Sequence, residues 1–229
     1  MPSDSIFATA TASPGAASAS PSSTWRRFSR LCCSITTCRR IAAAACAAAL
    51  AACGPAPAKF HATDLTGADY ARDFALTDHT GRPRTLADYR GKVVSVFFGY
   101  THCPDVCPTN LATMKQVLEI LGADAARVQV LFITVDPERD GPALLSQYVP
   151  AFHPSFVGLY TDPARTAELA KRFKVFYQKQ PGATPETYTV DHSAGTYVYD
   201  PKGRLRLYVR HGEGAQNIAE DFRRLLDGA

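Results

Sequence analysis

Cys103 and Cys107, separated by three residues, are the side chains of this chain best placed to do chemistry. They lie in Tyr100-Thr101-His102-Cys103-Pro104-Asp105-Val106-Cys107-Pro108. An apolar run, Val93 to Phe98, leads into this stretch, and a helical pattern leaves it. A strand-to-helix junction is where a thiolate forms most readily, because the first N–H groups of the helix point at it unpaired. Pro108 suits a first helical turn, where a missing N–H costs nothing. A helix starting near Pro104 puts Cys103 and Cys107 at i and i+4, on one face. Two sulfurs so placed bridge as a disulfide or hold a soft metal ion together. The plainer alternative is a structural disulfide or two buried thiols, and Asp105 between them reads as a solvent-facing loop residue.

The elements that must position this pair follow from hydrophobic pattern and turn signals. Phe74 to Thr77 alternates weakly and precedes the turn cluster Asp78 to Pro83, which predicts a short hairpin; Leu86 to Arg90 is a helical turn. Lys92 to Tyr100 and Val128 to Val135 are apolar without alternation, as in strands buried on both faces. Between them, Leu111, Met114, Val117, Leu118 and Leu121 mark an amphipathic helix over 110–121, closed by Gly122. Further on come a loop from Asp136 to Pro142, a helix over 143–152, a strand over 156–160 and a helix capped at Thr161 or Asp162 and ending near Phe173. Val175 to Tyr177 is strand-like, and 180–186 is a polar loop. Strands over 196–200 and 205–209 form a hairpin, and a helix over 215–226 ends the chain. Phe97, Phe98, Phe152, Phe156, Phe173 and Phe176 read as core. Helices alternating with buried strands predict an α/β fold, a central mixed sheet flanked by helices with an N-terminal hairpin. A strand, a cysteine pair and a helix, followed late by β-β-α, resemble the thioredoxin fold.

Charge and cysteine usage divide the chain. Five of its 25 basic and one of its 21 acidic residues lie in 1–53, which leaves 20 of each sign in 54–229. The folded part thus has no basic excess, which argues against nucleic-acid binding. Five of the seven cysteines (32, 33, 38, 46, 53) also precede residue 54. Ser, Ala, Thr and Pro dominate 1–24, Arg26 to Arg40 is basic, and Ile41 to Leu50 is apolar. That order is the grammar of an export signal, with an apolar part too short to span a bilayer comfortably. Leu50-Ala51-Ala52-Cys53 resembles a bacterial lipobox with Cys53 as the lipidated residue; an ordinary cleaved signal or an uncleaved anchor is the alternative. The expected organisation is a leader over 1–53, a tether over 54–64 and one domain over 65–229. The expected location is the periplasmic face, tethered to a membrane through Cys53.

Phe98-Gly-Tyr-Thr-His-Cys-Pro-Asp-Val-Cys-Pro108, Val135-Asp-Pro-Glu-Arg-Asp140 and Val190-Asp-His-Ser193 together resemble the Sco/SenC family over about residues 65–228. The resemblance implies a thioredoxin-like, membrane-tethered copper metallochaperone that serves the CuA site of cytochrome c oxidase subunit II. It implies one copper, Cu(I) or Cu(II), per domain, held by Cys103, Cys107 and His192, and a copper donor chaperone as second partner. Copper(I) is soft and prefers thiolate, with imidazole an acceptable third ligand. Asp191, beside His192, is expected to orient its ring by a hydrogen bond. His102 is expected to point away, and His61, His79, His153 and His211 read as surface residues. Asp136, Glu138, Arg139 and Asp140 read as a salt-bridge network in their loop with caps to the next helix, with copper or partner docking as the alternative.

A thiol-disulfide oxidoreductase acting on an apo-CuA site or another exported protein is the competing function. The spacing is three residues rather than the two of redox thioredoxins, and no proline stands between Glu186 and Asp200 to dock a substrate. A metallochaperone, not a dedicated enzyme, is therefore the expectation. A copper or redox sensor has no discriminating feature, and the peroxiredoxin nucleophile pattern is missing.

Overall fold

A computed structural model describes residues 59–184 and 187–229. The leader, Cys53 and residues 54–58 of the expected tether lie outside the described residues. In chain order the elements are β1 (Thr63–Asp64), β2 (Ala75–Asp78), β3 (Pro83–Thr85), a 3₁₀ turn (Leu86–Tyr89), β4 (Val93–Gly99) and α1 (Val106–Leu121). A second 3₁₀ turn (Gly122–Arg127), β5 (Val128–Thr134), α2 (Pro142–Phe152), β6 (Val157–Tyr160) and α3 (Pro163–Phe173) follow. The chain then forms β7 (Tyr177–Gln180), β8 (Thr189–His192), β9 (Thr196–Tyr199), β10 (Leu205–Val209) and α4 (Ala215–Leu226). Among the described residues no helix is long and apolar enough to cross a membrane.

Eight strands make one sheet in the order β1-β10-β9-β4-β5-β6-β2-β3. β4 pairs in parallel with β5, and β5 with β6; the other pairs are antiparallel. Every residue of β4 and β5 is buried, which is why both read as mostly apolar runs without alternation. Along β4 the side chains alternate between two layers. Ser95 faces α1, its Oγ 3.7 Å from Met114 Sδ, while Phe98 meets Phe173 of α3 and Tyr197 edge to face on the opposite side. Each such fully buried ring stabilises the fold by about 1.5–3 kcal/mol. α4 packs against α1 and buries Ile218, Phe222 and Leu225.

The sequence-based element order holds, with four differences. α1 begins at Val106, so Cys103 precedes the helix instead of sharing its face with Cys107; Pro108 occupies the first turn as expected. Residues 61–64, placed in the tether, are bound to the domain: Asp221 accepts the N–H groups of His61 and Ala62, and β1 pairs with β10. The strand expected at Val175 to Tyr177 starts at Tyr177 and pairs with β8, for which no strand was expected, in a separate two-stranded ribbon. Phe176, expected in the core, is 59% exposed because it lies between α3 and this ribbon, clear of both layers of the sheet.

Candidate metal centre

The site is built at the C-terminal end of β4. After Gly99 the chain turns: the Cys103 N–H donates to the Tyr100 carbonyl, and α1 begins three residues later. Cys107 is fully buried beneath Gly99, and Cys103 is half-buried above it. Gly99 is needed here for close approach, because a Cβ on it would sit 2.7 Å from Cys107 Sγ and 2.8 Å from the Phe97 ring.

His192 arrives from the ribbon. Its Nε2 lies 3.4 Å from Cys107 Sγ, and its Nδ1 lies 3.0 Å from the Ser193 carbonyl oxygen. A carbonyl only accepts, so the ring proton belongs on Nδ1 and the Nε2 lone pair faces the sulfurs. Phe97 and Tyr100 hold the ring edge to face, each at 5.8 Å between centroids. The two sulfurs and an imidazole nitrogen all lie within 4.8 Å of one another, and no other His, Cys, Asp or Glu cluster among the described residues comes together in this way. Sulfur at about 2.3 Å and nitrogen at about 2.0 Å from a first-row metal ion would be about 3.7 Å apart in a trigonal site. The three donors therefore fit one such ion with small side-chain movements, and two thiolates with one imidazole suit a soft cation such as Cu(I).

Both cysteines are free thiols and are electrostatically unequal. Cys103 is brought down to about 4, first by a hydrogen bond from Cys107 and then, against burial, by the N–H groups of Asp105 and Cys107. Cys107 is pushed up, first because its S–H donates to the Cys103 thiolate and then because burial penalises its charged form. The metal-free pair thus holds one proton, which a metal ion must displace. The centre opens into a cleft of about 590 Å³, walled by Tyr100, Cys103, Pro104, Phe176, Val190 and His192.

The structure brings Cys103, Cys107 and His192 together and corrects the role given to Asp191. Its carboxylate accepts a hydrogen bond from Gln180 Nε2 at 2.7 Å, across the ribbon, and the Ser193 carbonyl is what His192 Nδ1 meets. Alternation along β8 is the reason: neighbouring residues of a strand point to opposite faces. Asp105 is exposed, with Thr109 Oγ1 donating to it at 3.2 Å. His102 is exposed and turned toward Thr101 Oγ1 and Asp140. The loop after β5 does carry ion pairs, Arg139 with Asp136 and Lys179 with Glu138, but no side chain caps α2. Asp140 instead reaches the cysteine turn, where it accepts from the Thr101 N–H at 3.0 Å and Thr101 Oγ1 at 2.6 Å. Sequence reasoning missed Tyr100 and Thr101 as supports of the site, since nothing local marks them.

Residues 62–227 match the family model described as SCO1/SenC. The mouse "Protein SCO2 homolog, mitochondrial" is 42% identical over 154 residues, 66% of this chain and 60% of the mouse protein. The human "Protein SCO1 homolog, mitochondrial" is 38% identical over 156 residues, 66% of this chain and 52% of that one. The chain therefore spans between half and two thirds of these mitochondrial relatives. Among solved structures, copper-bound ScoI of Bradyrhizobium japonicum is 40% identical with a TM-score of 0.62, covering 67% of this chain and 97% of that one. Apo Sco1 of Thermus thermophilus is 43% identical with a TM-score of 0.66, covering 74% of this chain and 99% of that one. These neighbours share the thioredoxin-like α/β fold described above.

Proposed function

The chain belongs to the SCO1/SenC family, and from that premise we propose that it is a copper metallochaperone that delivers copper to the CuA site of cytochrome c oxidase. One observation carries the reading: Cys103 Sγ, Cys107 Sγ and His192 Nε2 converge within 4.8 Å at the end of β4. Copper-bound relatives such as the Bradyrhizobium japonicum protein support copper as the cargo.

The arrangement suits a carrier. Cys103, ionised and half-exposed, meets the incoming ion first; Cys107 then gives up its proton and binds from below, and His192 closes the third position. Three donors leave one side of the ion open toward the cleft, where a recipient's ligands enter as these leave. A copper donor chaperone and oxidase subunit II are the partners proposed. Tethering at the periplasmic face of a membrane through a lipidated Cys53 is the location proposed.

The free, unequal thiols favour a second reading, thiol-disulfide reduction. The Cys103 thiolate would attack a partner disulfide and release one partner thiolate. Cys107, losing its proton, would then displace the second partner sulfur, leaving a Cys103–Cys107 disulfide and a reduced partner dithiol.

The test is a Cu(I) titration of the full, reduced chain with Cys32, Cys33, Cys38, Cys46 and Cys53 replaced by serine, compared with the same chain carrying His192→Ala. Coordination is followed by X-ray absorption. One copper per chain bound by two sulfurs and one nitrogen, with the nitrogen lost in His192→Ala, is the expected result. Equal affinity in the two proteins overturns the site, and rapid reduction of a disulfide-oxidised CuA domain by the copper-free chain favours the second reading.

A further inference from the structure

The two halves of the centre belong to different sheets. The cysteines follow β4 of the eight-stranded sheet, whereas His192 ends β8 of the ribbon, which shares no ladder with it. A two-stranded ribbon is at best marginally stable alone. The chain ties the ribbon to the sheet at one end, since only residues 193–195 separate His192 from Thr196 of β9, which pairs with Phe97 of β4; the rest of the ribbon is held there by side chains. The geometry points to the loop between β5 and α2, residues 136–140, as a bracket that sets this distance, with Arg139 as its positioning residue. The inference rests on the copper-site reading above.

On the ribbon side the bracket grips Tyr188, just before β8. Asp136 is fully buried; its Oδ1 accepts the Tyr188 hydroxyl at 2.6 Å and its Oδ2 accepts Arg139 Nε at 2.5 Å. Arg139 Nη1 donates to the Tyr188 carbonyl at 2.9 Å, and its guanidinium carbon lies 3.5 Å from the centre of the Tyr188 ring. Tyr188 is thus held at its hydroxyl, its ring face and its backbone. On the cysteine side, Asp140 accepts from Thr101 N–H, Thr101 Oγ1 and Thr134 Oγ1, which pins the start of the turn that carries Cys103. Arg139 also lies 5.8 Å from the centre of the Tyr100 ring, the ring that abuts His192. The Glu138–Lys179 pair spans the same gap, but both side chains are largely exposed and such pairs contribute little. The half-buried, stacked Arg139 is the stronger link. Lysine cannot replace it, because it has neither the planar fork nor the stacking face.

The test uses the full chain with the five N-terminal cysteines replaced by serine, loaded with one Cu(I). Copper release to excess bathocuproine disulfonate is followed by absorbance. Arg139→Lys and Tyr188→Phe are each expected to speed release by about tenfold, the usual cost of losing a group that holds a metal ligand in place. In a His192→Ala background neither substitution is expected to change the rate further, because the bracket acts through His192. The nitrogen contribution to the X-ray absorption of the single variants is expected to weaken as well. Release at the parent rate from both single variants overturns the bracket while leaving the copper site intact. An undiminished effect in the His192→Ala background also overturns it, since Arg139 would then act through the cysteines or on stability alone. Parent-like release from His192→Ala itself overturns both the site and the bracket. If Arg139→Lys does not fold, Tyr188→Phe, which keeps the ring and its stacking, carries the same comparison.

Discussion

Cys107 Sγ lies 3.4 Å from His192 Nε2, although 85 positions separate the two residues along the chain. His192 is half-buried and packs by its edges on Phe97 and Tyr100. His192→Ala should therefore cost the metal-free protein only about 1 kcal/mol of packing. It should also weaken Cu(I) binding by about 100-fold, whereas Cys103→Ser or Cys107→Ser leaves one sulfur and should abolish tight binding. Thermal unfolding with and without copper, beside chelator competition, separates the two effects.

The unequal thiols predict an order of modification. Cys103, brought down to about 4 and partly exposed, is fully thiolate at neutral pH, and loses that form only as pH falls through the folded value. Its alkylation by iodoacetamide should be nearly flat from about pH 8 to pH 6 and fall below about pH 5, whereas an ordinary thiol loses about tenfold per unit below pH 8.5. Cys107, buried and pushed up, should react far more slowly across the range. Peptide mapping reads both sites, and equal labelling at pH 6 contradicts the assignment. Cys107→Ala removes the donor that lowers Cys103 most and should move the fall toward higher pH.

Gly99→Ala tests the close approach of strand and thiol. The added methyl would lie 2.7 Å from Cys107 Sγ and 2.9 Å from the Phe132 ring, with both neighbours fully buried. Overpacking of this kind costs about 1–3 kcal/mol and shifts its neighbours. Chemical denaturation should show that loss, and copper affinity should fall with it because the displaced atom is a donor. Unchanged affinity in a destabilised variant would show that Cys107 has room to retreat.

Acid stability should report on Asp78. Burial alone would raise its carboxyl, but hydrogen bonds from Thr80, Arg82 and Arg84 outweigh this and hold it well below the carboxylate range. The depressed folded value means that its contribution is fully present above the unfolded value of about 3.9 and is lost as pH falls below it. Asp78→Asn should cost about 2–3 kcal/mol at pH 7 and progressively less below about pH 4. Urea denaturation at several pH values checks this, and a difference independent of pH would contradict it.

Most of the fold was legible because β4 and β5 are buried on both faces, so nearly every position is apolar and Ser95, Gln129 and Thr134 are the exceptions. α3 was equally plain, with Asp162 as cap accepting from the Arg165 N–H and Pro163 just inside. The ribbon was not. Tyr177-Gln-Lys-Gln180 and Thr189-Val-Asp-His192 are polar, largely exposed strands held by each other and by the loop of Arg139, and no local pattern marks such a pairing. Phe176 was misplaced for the same reason: its composition says core, and only the path of the chain shows that no layer covers it.

By itself, then, the order of residues determined that this chain builds a buried parallel pair of strands and sets two thiols where the first of them meets a helix. It also supplied, through resemblance, the histidine that belongs with them. Tertiary structure decided how they meet: Cys103 off the helix, Cys107 beneath Gly99, and His192 aimed by the Ser193 carbonyl rather than by Asp191. The physical reason is range. Burial and helix-end chemistry act over a few residues and leave a periodic trace, whereas the separation of donors 85 positions apart is set by hydrogen bonds between loops, which follow no sequence period.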